Sequence, residues 1–263
     1  MAQLPAGNVP LIQRLLGWLR RPAPAIDETT WRQARQRCPW MEALDEPRQQ
    51  RLRELSARFL HEKTIAPIHG LVLSPDQCVV LAAMCCLPLL EIGPAGWRGW
   101  SQLIVYPDAF RVHRSHVDAA GVLHEWEDEL IGEAWEQGPL ILSWADVQAD
   151  LDDPHAGYNV AVHEMAHKLD VLDGVLDGTP LLPREWQREW ARDFQRHYDA
   201  FCAQVDAGRR TRVDEYAAEA PEEFFAVVSE YHFSAPGVLA EAMPEVAAHL
   251  RRFYGPSPFE GRA

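Results

Sequence analysis

The sequence predicts a helix-dominated α+β domain with a small sheet in its first half, and three observations predict it. Capped, amphipathic stretches recur through the first 90 residues. Strand-like runs of aliphatic and aromatic residues are confined to residues 103–144. From Tyr158 onward the pattern is mainly helical, with no internal repeat or low-complexity segment. The chain has 263 residues, 47% of them apolar, so a sizeable core is within reach.

The elements follow in order. Leu11 to Arg20 is a short amphipathic helix candidate, and Pro22 and Pro24 with small residues make a linker. Residues 1–38 are read as this N-terminal helix and linker, and residues 39–263 as the main domain. Asp27 to Arg37 and Asp45 to His61 read as helices; the second opens Asp45-Glu46-Pro47, and acids and proline suit a first turn. Ser74-Pro75-Asp76 caps an apolar helix through Leu90. Its run from Cys78 to Leu90 is too short to cross a bilayer and reads as a buried core helix. Leu103 to Tyr106 is a short strand. Val122 to Trp144, punctuated by Gly132, Gly138 and Pro139, reads as two or three strands, the last being Leu140 to Trp144. Proline cannot donate to a ladder, so this last strand is expected at a sheet edge, although its unbroken apolar run also suits a buried one.

The formal net charge of −14 argues against direct nucleic-acid binding and against anionic membrane surfaces, and leaves basic protein partners open. Five cysteines, Cys38, Cys78, Cys85, Cys86 and Cys202, lack CxxC spacing and read as reduced core thiols. No basic segment precedes a continuous apolar core at the N-terminus, so no secretory signal is read there. A cytoplasmic location is the expectation.

The chemistry is concentrated in His163-Glu164-Met165-Ala166-His167, which matches H-E-x-x-H. On a helix, positions i and i+4 share a face, so two imidazoles can converge on one zinc. Val162, Met165, Ala166 and Leu169 would bury the opposite side. Glu164, one residue after the first ligand, can reach a metal-bound water without itself ligating. Asp170 falls on the ligand face near the helix end, where the dipole disfavours it, and a bond to a ligand histidine would compensate.

A catalytic zinc needs a third protein ligand and an open fourth position. Two spacings compete. Asp173, six residues past His167, would serve in a metzincin-type motif, but that motif needs Gly where Asp170 stands. A glutamate on a later helix would serve in a gluzincin arrangement. Pro221 to Glu230 offers such a helix, with Glu223 at the border of an apolar face beside Phe224 and Phe225.

These blocks resemble a known family. His163 to Asp170, Asp214-Glu215-Tyr216-Ala217-Ala218, Pro221 to Ser234 and the preceding strand Gly138 to Trp144 look like the Mlc titration factor A family of zinc-dependent peptidases. The resemblance runs from about Pro39 to Tyr254. It implies a zincin-like, gluzincin-type fold similar to the catalytic domain of anthrax lethal factor. It implies one Zn2+ per chain on His163, His167 and Glu223, Glu164 as catalytic base, and Tyr216 as an oxyanion-side donor. It further implies aminopeptidase-like action on a peptide substrate and a glucose-repressor (Mlc-like) protein as a binding partner. A non-catalytic, zinc-containing regulatory binding protein is the competing reading. The presence of Glu164 favours catalysis, because a pure binder has no chemical need for a base there.

Overall fold

The computed structural model describes residues 23–108 and 138–261. Among the described residues eight elements precede residue 108. They are α1 (Glu28–Arg37), α2 (Pro39–Ala43), α3 (Glu46–Glu62), β1 (Thr64–Pro67), α4 (Pro75–Cys86), 3-10 stretches at Leu87–Leu89 and Gly93–Trp97, and β2 (Gln102–Tyr106). The second part holds β3 (Leu140–Ser143), α5 (Trp144–Asp152), α6 (Val160–Asp170), α7 (Arg184–Asp206), α8 (Pro221–Ser234), α9 (Pro236–Ala242) and α10 (Pro244–Tyr254). The architecture is α+β and helix-dominated. The candidate helix at Leu11–Arg20 and the strands expected between Val122 and residue 137 lie outside the described residues.

Polar caps start the helices where the sequence places them. Asp27 accepts from the amides of Thr29 and Thr30, and Asp45 from that of Arg48. The apolar helix is buried from Val79 to Cys86, as expected of a core helix. It ends four residues short of Leu90, passing into 3-10 turns at Leu87–Leu89 around Pro88, which has no N–H to continue the ladder. Trp31, Ala34 and Cys38 of the α1 region lie in the same core as the later helices. All five cysteines are free, and burial pushes the Cys38 and Cys85 thiols up to about 12.

Among the described residues the sheet has three parallel strands in the order β1-β2-β3. Leu103 and Val105 of β2 pair with Leu140 and Leu142 of β3, and all four are buried on one face. Among the described residues β3 has β2 as its one strand neighbour. The strand stops at Ser143, one residue earlier than expected. The Ser143 side chain accepts from the amide of Asp146 and caps α5, so Trp144 opens a helix instead of ending a strand.

Helix α8 is buried along its whole length from Phe224 to Ser234. Trp190 and Phe194 of α7, stacked at 4.1 Å, pack onto Phe224 and Phe225 at its start. Helix α6 lies between α8 and α4, burying Val162, Met165, Ala166 and Leu169. No helix among the described residues is long and apolar enough to cross a membrane.

Candidate metal centre

The first turn of α6 is tied down from three directions. Asn159 is its N-cap, accepting from the amide of Val162. The amide of Val160 donates to Asp150 Oδ2, and that of Asn159 donates to Glu230 Oε2 of α8 at 2.6 Å. This satisfies donors a helix start leaves over and fixes the helix against both neighbours.

One turn into α6, His163 and His167 point the same way, with their Nε2 atoms 3.1 Å apart. Glu223, in the first turn of α8, meets both: its Oε2 is 3.1 Å from His163 Nε2 and its Oε1 is 3.5 Å from His167 Nε2. One ligand atom from each residue lies within 4.8 Å of the other two. Two donors bound at tetrahedral angles to one divalent ion at about 2.1 Å sit roughly 3.4 Å apart, so the observed spacings suit such an ion.

Hydrogen bonding supports the same fit. His163 Nδ1 is 2.8 Å from Glu230 Oε1. A carboxylate oxygen only accepts, so Nδ1 carries the hydrogen, and in the neutral ring Nε2 offers a lone pair to the centre of the triad. Glu223 Oε2 is buried without a hydrogen-bond donor among the described residues. With His167 also carrying its hydrogen on Nδ1, three acceptors face one another, which is unfavourable unless a cation lies between them. Without one, the cluster takes up a proton. Burial opposes charge on His163, but Glu223 and Glu230 outweigh it and raise its pKa to about 10. Burial likewise opposes charge on Glu223, yet the two histidines hold its carboxyl well below the usual range.

Glu164 is partly exposed beside the triad, and its charge acts on His163 and on Lys168. The buried Lys168 donates to the carbonyl of Gly138 at 3.0 Å, joining the ligand helix to the entry of β3. The Tyr216 ring lies 6.2 Å from that of His163. Tyr216 sits on the 3-10 turn Glu215–Ala218, where its amide donates to Asp214 Oδ1; Asp214 Oδ2 accepts from the Tyr158 hydroxyl at 2.8 Å.

The structure thus brings together His163, Glu164, His167, Glu223 and Tyr216. It does not bring Asp173, which is exposed on the turn after α6 and accepts from the amide of Val175. Gly174, at φ +92, turns the chain away there. Asp170 also departs from expectation. Its oxygens are taken by the amides of Gly178 and Thr179 at 2.7 and 2.9 Å, so it bonds no ligand histidine. Burial raises its carboxyl to about 6 against those amides. Glu230 does what was expected of Asp170. Its signal was available: it lies seven residues past Glu223, on the same face of α8.

Residues 16–255 match the family model of the glucose-regulated metallo-peptidase M90. Mlc titration factor A of Yersinia pestis (strain Pestoides F) is 36% identical over 223 residues, covering 84% of this chain and 82% of the relative. Mlc titration factor A of Yersinia pseudotuberculosis (serotype O:3, strain YPIII) matches to the same extent.

Proposed function

The chain belongs to the glucose-regulated metallo-peptidase M90 family, and from that premise we propose that it is a zinc-dependent, aminopeptidase-like hydrolase with one Zn2+ held by His163, His167 and Glu223. The observation that carries the reading is the convergence of two imidazole nitrogens and a carboxylate beside a glutamate that is not part of the triad. That donor set and count match a catalytic zinc site, whereas structural sites close all four positions.

When bound, zinc supplies Lewis acidity, lowering the pKa of a water and polarising a carbonyl. Glu164 then has the role of proton carrier, taking a proton from the attacking water and giving it to the leaving amine. The Tyr216 hydroxyl donates to the oxyanion, whose charge exists only in the transition state. Glu230 holds His163 in the tautomer that leaves Nε2 free. The peptide is placed by main-chain pairing along β3, whose entry is tethered to the ligand helix through Lys168 and Gly138.

Glu164→Gln separates these roles. The variant is expected to keep zinc and lose at least about a hundred-fold in turnover of an aminopeptidase substrate. Glu223→Ala is expected to lose zinc, and Asp173→Ala to keep it. Unchanged turnover in the first variant, or zinc retained by Glu223→Ala, overturns the assignment.

A regulatory reading stands beside it. The relatives are named for titration of Mlc. The charge of −14 suits a basic, DNA-binding partner, so an Mlc-like glucose repressor is proposed as a second ligand of this chain.

A further inference from the structure

We propose that Asp170 and Gly178 form a clamp that sets the position of the third metal ligand, making both of them positioning residues for Glu223. This rests on the metal site proposed above.

Glu223 stands in the first turn of α8, and first turns are where helices fray. Metal ligation demands placement to a few tenths of an ångström. The two histidines gain this precision from lying on one helix; the glutamate, on another helix, needs an external stop. The loop following α6 supplies it. Gly178 adopts φ +80, and a Cβ built there would lie 2.3 Å from the Pro221 carbonyl oxygen, 2.7 Å from its carbon and 3.2 Å from the Glu222 nitrogen. Real Cβ atoms do not approach backbone this closely. The backbone of Gly178 therefore rests directly on the first turn of α8, two residues before the ligand.

Gly178 is in turn held by the ligand helix. Its amide and that of Thr179 donate to the two oxygens of Asp170, the last residue of α6. Asp170 is fully buried, three residues past His167. A buried carboxylate at a helix C-terminus is unfavourable alone, and the two amides offset that cost. The path from His167 through Asp170, Gly178 and Pro221 to Glu223 is contiguous and crosses from one ligand helix to the other.

The test compares Gly178→Ala, Asp170→Asn and Gly174→Ala in the full chain. Gly174 has φ +92 on the same loop, but nothing lies within 4 Å of a Cβ there. Its alanine variant carries the same backbone strain without the contact. Zinc affinity is read by chelator competition, and coordination by the visible spectrum of the cobalt(II)-substituted protein. Gly178→Ala and Asp170→Asn are expected to bind zinc about ten-fold or more weakly and to alter the cobalt spectrum, with Gly174→Ala close to wild type. If Gly178→Ala does not fold, Asp170→Asn against Gly174→Ala decides. Wild-type affinity and spectrum in the first two variants overturn the clamp, even if their melting temperatures fall. So does an equal loss in Gly174→Ala. Failure of the wild type to take up metal overturns the site itself, and is distinguished by that result.

Discussion

His232 offers a perturbation whose sign and size follow from the structure. It lies on α8, nine residues past Glu223, buried between Phe233 and Tyr254. Its Nε2 is 3.1 Å from the carbonyl of Gly255, which only accepts, so Nε2 carries a hydrogen. Burial, reinforced by Arg48 and Arg251, lowers its pKa from 6.5 to about 4. The unfolded chain therefore binds this proton below pH 6.5 while the folded chain resists it until about pH 4. Unfolding takes up a proton in that window, and stability is lost as pH falls through it, by roughly 3 kcal/mol. Asp170 acts in the opposite sense. Its folded pKa, about 6 against 3.8, makes the folded state gain roughly 3 kcal/mol as pH falls from 6 toward 4. These two contributions nearly cancel in the wild type. His163, raised to about 10, contributes its full stabilisation below pH 6.5 and loses it only as pH rises from there toward 10, so it adds little slope between pH 6.5 and pH 4. The difference between wild type and His232→Gln isolates one group, because Gln can still donate to Gly255. Urea unfolding of chelator-treated protein, followed by tryptophan fluorescence from pH 7 to pH 4, measures it. Whatever the variant loses at pH 7, the gap is expected to move in its favour by about 3 kcal/mol at pH 4. A gap constant to within about 0.5 kcal/mol refutes the neutral, desolvated His232.

Two further expectations concern the site. Tyr158→Phe removes the hydroxyl that braces Asp214, and through it Tyr216; turnover is expected to fall roughly five-fold with zinc content and KM unchanged, and a change confined to KM contradicts the bracing role. Zinc binding at pH 7 is expected to displace the proton that Glu223 and Glu230 hold on His163; calorimetry in buffers of different ionisation enthalpy checks this, and release of less than about half a proton is inconsistent with it.

The residues that made the site legible are those whose chemistry and period coincide. His163 and His167 are one helical turn apart, and their opposite face is apolar, so sequence spacing alone places the two imidazoles together. Glu223 needed a helix and a family resemblance, since nothing local separates it from Glu222; the fold chose it through the turn of α8 that faces α6. Glu230 went unread because buried acids look like surface acids in a one-dimensional string, although its interval from Glu223 was visible. Asp170 shares the period of His163, but its side chain accepts from the amides of Gly178 and Thr179 rather than from a histidine. The loop that claims it returns eight residues later, which periodicity does not report. Strand β1 was missed for a different reason. Thr64-Ile65-Ala66-Pro67 has neither length nor alternation, and it is a strand because β2 offers a ladder, with Thr64 donating to Ser101 and Ile68 to Val105.

The parallel pairing of the described strands has a kinetic consequence. Parallel neighbours cannot be joined by a tight hairpin, and here Thr64 must find Gln102, and Leu103 must find Leu140, across intervening chain. Each pairing is charged its loop-closure entropy before any ladder bond rewards it. Contacts between helices close shorter loops, so the sheet is expected to assemble late. His163 and His167 lie on a single helix, whereas Glu223 reaches them only through the long-range packing of α8 on α6. An ion bound at the proposed His163–His167–Glu223 site is therefore expected to lengthen the lifetime of the folded chain more than it shortens the search for it.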